Sequence, residues 1–217
     1  MTRVKVCGVT SIEDALLACE LGAAAIGFVF WPGSPRFIDP DRAASIVAKL
    51  PPLVSTVGVF VDQPLEEVQR TAEVAKLSAV QLHGDEPLAY ARRVLQPVIK
   101  SVPVADDFVP ESIDAYPPEV TVLLDAHDPA RHGGTGRTID WSAAAAAALR
   151  RPVFLSGGLN PGNVAEAIAR VNPYCVDLSS GVESSPGVKD PAKLRALFDA
   201  IRAVTAGVEV NQVKRND

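Results

Sequence analysis

The sequence predicts a single α/β domain, a closed (β/α)8 barrel of the TIM type with its active site at the carboxyl ends of the strands. Three observations lead there. Eight short β-branched or apolar runs alternate with amphipathic stretches of helical period along the 217 residues. Aromatic residues are only 6% of the chain while Ala, Val and Leu are plentiful, which suits helices packed on a buried parallel sheet better than an aromatic-rich sandwich. Reactive, polar or glycine residues follow the apolar runs, as Cys7-Gly8, Phe30-Trp31, His83-Gly84, Asp125-Ala126, Ser156-Gly157-Gly158 and Ser179-Ser180-Gly181. An open doubly wound sheet would place its site at one crevice, whereas a barrel gathers every strand end around one mouth, so this distribution favours closure.

The expected strands are residues 4–7, 25–30, 54–61, 78–83, 98–102, 120–125, 152–156 and 174–179. The expected helices are 12–21, 41–50, 64–76, 86–95, 107–115, 142–150, 161–171 and 190–206, the fifth having the weakest period. Thr10-Ser11-Ile12-Glu13 reads as a capping box opening the first helix. Asp39-Pro40, Asn160-Pro161 and Asp190-Pro191 each set a capping side chain before a proline, whose missing N–H costs nothing at the first helical position. The alanines 143–148 read as a helix whose neighbours pack closely. No linker divides the chain, so the barrel is expected to occupy residues 1–206. Beyond it the period is lost, and 207–217 is expected to be a frayed or disordered tail.

Composition narrows the function classes. With 47% hydrophobic residues the chain can fill a sizeable core. Its 21 basic and 26 acidic side chains leave a net charge of −5, which argues against nucleic acid or an anionic membrane as partner. No run approaches the roughly 18 apolar residues of a membrane span, and the start lacks a secretory pattern, so a cytoplasmic protein is expected. Cys7, Cys19 and Cys175 are an odd count without paired spacing, and His83, His127 and His132 lack helical metal spacing. Dinucleotide and Walker fingerprints are absent, and a metal cofactor is not supported.

Strand alternation turns the candidate residues into a geometry. Lys5 shares a face with Cys7, Gln81 with His83, Asp125 with Leu123 and Thr121, and Asp177 with Cys175 and Ser179. A thiol, an ammonium and a carboxylate then project into one mouth. A buried Cys is commonly just a small hydrophobe, the reading kept for Cys19 and Cys175; the place of Cys7, two residues from an inward Lys, marks it for catalysis. Gly157-Gly158 and Ser180-Gly181 follow the last two strands, where barrels of this kind hold phosphate on backbone N–H groups. Either turn alone is ordinary loop punctuation. Arg36, in the shaped loop Trp31-Pro32-Gly33-Ser34-Pro35-Arg36-Phe37, has the planar fork to hold a carboxylate, if it is not merely solvated. The stretch His132-Gly133-Gly134-Thr135-Gly136 reads as a mobile cover or a plain linker, and His83 as a site residue or a capped strand end.

Taken in order, Lys5-Val6-Cys7-Gly8-Val9-Thr10, Gly27-Phe28-Val29-Phe30, Ser34-Pro35-Arg36, Gly58-Val59-Phe60-Val61, Val80-Gln81-Leu82-His83-Gly84, Leu124-Asp125-Ala126, Gly133-Gly134-Thr135-Gly136, Ser156-Gly157-Gly158-Leu159 and Asp177-Leu178-Ser179-Ser180-Gly181-Val182-Glu183 closely resemble the phosphoribosylanthranilate isomerase family of tryptophan biosynthesis. The likeness runs from Lys5 to about Phe198. Val9, where isoleucine or leucine is commoner, is a mild departure.

The resemblance implies a cofactor-independent Amadori rearrangement of N-(5′-phosphoribosyl)anthranilate, a small phosphosugar-anthranilate, by a monomer or homodimer. It implies Asp125 as general acid and Cys7 as general base, with Arg36 on the anthranilate carboxylate and Gly157, Gly158, Ser180 and Gly181 around the phosphate. Lys5, Gln81, His83 and Asp177 remain for substrate contact or for ordering the site. On this reading Asp125 is expected to titrate high and Cys7 low, with Lys5 the candidate for lowering the thiol. Two other readings stand beside it. The related isomerase of histidine biosynthesis places an aspartate where this chain has Cys7, and a non-catalytic phosphate sensor on the same fold would need the turns but not the acid and base.

Overall fold

The computed structural model describes residues 2–126 and 139–213. Each of the eight apolar runs forms a strand: β1 Arg3–Val6, β2 Ala25–Val29, β3 Ser55–Phe60, β4 Ala79–Leu82, β5 Val98–Val104, β6 Val120–Ala126, β7 Val153–Leu155 and β8 Cys175–Leu178. Every strand runs parallel to its neighbour, and β8 returns to β1 with Asp177 opposite Lys5, closing the barrel. Closure removes the sheet edges and turns alternate residues inward. Ala25, Val57, Ile99 and Leu123, with Ala79 and Phe154 against them, plug the interior. Cys7, Val29 and Val59, with Trp31, form a separate apolar group. The opposite strand faces, among them Val6, Ile26, Leu82, Val122, Leu124 and Val176, meet the helices in the main core.

The helices are α1 Ile12–Leu21, α2 Pro40–Val47, α3 Leu65–Val74, α4 Leu88–Ala91, α5 Trp141–Ala148, α6 Val164–Val171 and α7 Pro191–Val213. The weakly patterned fifth candidate is a 3₁₀ helix, Pro110–Ala115. The expected 86–95 contracts to α4, because Glu86 turns inward as a hydrogen-bond acceptor and the chain must leave helical backbone before Pro97. Asp39 and Asp190 cap as expected, accepting from the N–H groups two and three residues on. Two caps differ from expectation. Ser11, not Thr10, caps α1 by accepting from the Asp14 N–H at 3.2 Å. Asn160 closes a tight turn onto the Gly162 N–H, and the helix begins three residues later, after Asn163. The last helix continues to Val213, past residue 206, where the amphipathic period fades.

One element has no counterpart in the sequence pattern: a hairpin of β9 Glu183–Ser185 and β10 Val188–Lys189, turning at Gly187 with φ +83°. Strands of three and two residues are too short to display a period. Thr10 Oγ1, freed from capping, donates to the Gly187 carbonyl at 2.7 Å and ties this hairpin over the end of β1. Among the described residues no helix is long and apolar enough to cross a membrane.

Candidate active site

At the carboxyl ends of the strands lies a cavity of about 400 Å3 lined by Cys7, Arg36, Gln81, His83, Asp125 and Asp177, together with Ser156, Ser179 and an apolar side that includes Val29, Trp31 and Val59. A larger cavity, about 940 Å3, opens at the amino ends, between Arg3, Leu53 and Tyr174. It contains neither Cys7 nor Asp125, so the smaller one is the candidate site.

Lys5 and Asp177 face each other across the β1–β8 seam, with Nζ 2.7 Å from Oδ2 and exposures of 0% and 5%. Burial works against the Lys5 ammonium, but the Asp177 carboxylate holds its pKa above the usual lysine range. Cys7 follows two residues on and packs across β2, where a Cβ on Gly27 would lie 2.7 Å from its Sγ. Glycine is required there for the thiol to occupy this place. Burial pushes the Cys7 thiol up, Lys5 pulls it back and Asp177 pushes it further, leaving it above the ordinary range. The direction is opposite to the expected low thiol: burial weighs most against the thiolate, and Asp177 adds to it against the pull of Lys5.

Asp125 is the last but one residue of β6, with His83 Nε2 3.2 Å from its Oδ2. Gln81 Nε2 lies 2.9 Å from the other ring nitrogen, Nδ1. Burial would raise the Asp125 carboxyl, but His83, the Ala126 N–H at 2.9 Å and Ser156 together hold it below the ordinary carboxylate value. This too reverses the expectation, since charge-assisted hydrogen bonds outweigh burial here. Five buried side-chain polar atoms have no partner among the described residues; Gln96 Oε1 and Trp141 Nε1 lie elsewhere, and three are in the site: Gln81 Oε1, Asp177 Oδ1 and Ser179 Oγ. Each of these three belongs to a residue lining the cavity, and an orphaned buried group costs about 1–3 kcal/mol, so they mark places for a ligand's hydroxyls.

The two glycine turns sit side by side at the rim. Gly157 and Gly158 have φ of +90° and +63°. Gly181 abuts the Leu159 carbonyl so closely that any side chain would collide with it. Ser156 and Ser179, one residue before Gly157 and Ser180, line the cavity itself.

Arg36 is not solvated. Its Nε and Nη2 grip both oxygens of Glu183 at 2.8–3.2 Å, and Glu183 also accepts from Lys189 Nζ at 2.7 Å. Lys189, fully buried, donates further to the Cys7 carbonyl at 2.6 Å. Glu183 and Lys189 are site-supporting residues that sequence reasoning did not single out. Their signal, two charges flanking a Pro-Gly turn just after β8, is interpretable only once the hairpin is known. The glycine stretch expected as a cover, with His127 and His132, lies outside the described residues. Cys19 sits on α1 and Cys175 low in β8, away from the cavity.

The arrangement sets a thiol and a histidine-paired carboxyl in one cavity, with an arginine fork at one side and backbone turns at the rim. It can move protons on a ligand that carries two anionic groups.

Comparison with known proteins gives a consistent picture. The profile of the family described as N-(5′phosphoribosyl)anthranilate (PRA) isomerase matches residues 4–200. The N-(5′-phosphoribosyl)anthranilate isomerase of Geobacter sp. (strain M21) is 53% identical over 197 residues, covering 90% of this chain and 95% of that protein. The crystal structure of phosphoribosyl anthranilate isomerase from Thermus thermophilus superposes with a TM-score of 0.86 at 47% identity, covering 94% of this chain and all of that one. A phosphoribosyl anthranilate isomerase in complex with reduced 1-(o-carboxyphenylamino)-1-deoxyribulose 5-phosphate gives 0.83 at 41% identity, with the same coverage.

Proposed function

The chain belongs to the N-(5′-phosphoribosyl)anthranilate isomerase family, and from that premise we propose that Asp125 and Cys7 carry its reaction as general acid and general base, without a cofactor. The reaction is the Amadori rearrangement of tryptophan biosynthesis, from N-(5′-phosphoribosyl)anthranilate to 1-(2-carboxyphenylamino)-1-deoxyribulose 5-phosphate. It is internal to the substrate, so the movement of protons is all that the chain must manage.

Asp125 gives a proton to the ribose ring oxygen, the C1′–O bond breaks, and the anthranilate nitrogen stabilises the resulting iminium. Cys7 then takes the proton from C2′, whose acidity that positive charge has raised. The enolamine tautomerises to the ketone as its 2′-hydroxyl loses a proton and C1′ gains one. Arg36 meets the anthranilate carboxylate, the turns around Gly157-Gly158 and Ser180-Gly181 meet the phosphate, and the partnerless atoms of Gln81 and Asp177 accept from sugar hydroxyls. Anchoring both ends of the substrate supplies the orientation that lets one acid and one base suffice.

The resting pKa directions bear on how these groups act. The productive form carries its proton on the Asp125–His83 pair and none on Cys7, whereas the resting preferences are opposite. Both forms hold the same number of protons, so the pH–rate profile belongs to the pair of groups and not to either one. The minor form is the more reactive: an acid with a low pKa gives its proton readily, and a thiolate with a high pKa is a strong base toward carbon.

The observation that carries this reading is the convergence of Cys7 and the His83-paired Asp125 on one cavity. Turnover of freshly prepared phosphoribosylanthranilate by the wild type, Cys7→Ala and Asp125→Ala tests it. Each variant is expected to lose at least about 10²-fold in kcat, and full activity in both would overturn the assignment.

A further inference from the structure

We propose that Glu183 sets the preference of this site for an aryl carboxylate, by holding Arg36 so that only one edge of its guanidinium is offered to the cavity. The inference rests on the reading that Arg36 meets the substrate carboxylate. Glu183 itself meets no substrate in this scheme and is a positioning residue.

A guanidinium has two edges able to make a paired contact with a carboxylate: the side edge, Nε with Nη2, and the end edge, Nη1 with Nη2. Glu183 occupies the side edge, Nε donating to Oε1 at 3.0 Å and Nη2 to Oε2 at 2.8 Å. Nη1 has no hydrogen-bond partner among the described residues, and Arg36 lines the cavity. The end edge is what remains for a ligand.

Glu183 can act as a fixed clamp because it is itself held. Its side chain is 4% exposed, and its Oε1 accepts from Lys189 Nζ at 2.7 Å and from the Gly187 N–H at 3.3 Å. Lys189 ties this carboxylate to the Cys7 carbonyl at 2.6 Å, so the anion anchor and the backbone of the base are joined through two buried side chains. The arginine stem closes the circuit from the other side. It crosses Gly8, whose φ is +71° and where a Cβ would lie 2.5 Å from Arg36 Cδ.

Charge and shape agree with the ligand class. Arg36, Glu183 and Lys189 together carry one net positive charge, the complement of one carboxylate. Without Glu183 two buried cations would face each other, and Arg36 would be free to swing. Val29, Val59 and Trp31 pack into an apolar wall of the same cavity, suited to a flat ring bearing that carboxylate.

Calorimetric binding of two stable ligands tests this: reduced 1-(2-carboxyphenylamino)-1-deoxyribulose 5-phosphate and its phenylamino analogue lacking the carboxylate. The ratio of the two affinities reads carboxylate recognition alone. Arg36→Met is expected to bring the ratio close to one. Glu183→Gln is expected to shrink it by about tenfold while leaving the affinity for the carboxylate-free ligand unchanged. Equal weakening of both ligands would mean a merely structural role and overturn the proposal, as would an intact ratio in Glu183→Gln beside a collapsed one in Arg36→Met. An intact ratio in Arg36→Met would instead overturn the reading beneath it. Should Glu183→Gln not fold, Glu183→Gln/Lys189→Met removes both buried charges together and is read by the same ratio and the same outcomes.

Discussion

His83 Nε2 stands 3.2 Å from Oδ2 of Asp125, and this contact holds the buried carboxyl down. A carboxyl so thoroughly buried would otherwise sit above its ordinary value; the imidazole, with the Ala126 N–H and Ser156, brings it below. His83→Ala should therefore raise the Asp125 midpoint, measured by carbon-detected NMR titration of the carboxyl. The sign for stability follows. A depressed folded pKa contributes stability that is present above the unfolded value, about 3.9, and lost as pH falls through the folded one. His83→Ala should weaken that acid dependence. An unmoved midpoint would mean the ring does not hold the carboxyl down.

Lys5 and Asp177 act on Cys7 in opposite directions. Asp177→Asn should lower the thiol pKa and Lys5→Met should raise it, both read from the pH dependence of Cys7 alkylation by iodoacetamide. The two are also a buried ion pair at 2.7 Å. Breaking such a pair from one side costs about 3–5 kcal/mol, whereas replacing both partners is close to neutral. Urea unfolding of Lys5→Met, Asp177→Leu and the double variant should show that non-additivity. Simple addition of the two losses would contradict it.

Gly27 is the floor on which the Cys7 thiol rests. A methyl group there would come within 2.7 Å of Cys7 Sγ, so Gly27→Ala must displace the sulfur. Misplacement of a reacting group by about 1 Å costs on the order of 10²-fold. Steady-state kinetics should show kcat falling by about that factor with KM little changed, because neither anion anchor is touched.

Glu183 is held below the ordinary glutamate value; burial opposes this, but Arg36 and Lys189 outweigh it. Its contribution to stability is full above the unfolded pKa of about 4.3 and is lost as pH falls through the lower folded value. Thermal unfolding between about pH 5 and pH 2 should show a shallower fall of Tm with acid in Glu183→Gln than in the wild type. Identical slopes would remove Glu183 from the acid response.

The barrel was legible because its signals are local and repeated: eight apolar runs, most of them followed by reactive, polar or glycine residues. Alternation alone placed Lys5 beside Cys7 and Asp177 beside Ser179, and the β1–β8 register brings the two pairs together. What the sequence hid depends on long-range pairing. Thr10 looked like a cap but holds Gly187, 177 residues away. Arg36 looked free but is gripped by Glu183 across 147 residues. The Asp125 direction was misjudged for the same reason, since His83 comes from another strand, whereas the Cys7 direction was misjudged chiefly because burial outweighs the pull of Lys5.

The central claim is that Cys7 removes the C2′ proton while Asp125 serves the ring oxygen. Its most direct test uses substrate deuterated at C2′, followed by mass spectrometry for loss of label under single-turnover conditions. Wild type should wash the label out with a primary isotope effect, and Cys7→Ala should retain it, with label loss slowed by at least about 10²-fold. Loss of label from Cys7→Ala at the wild-type rate would contradict the account.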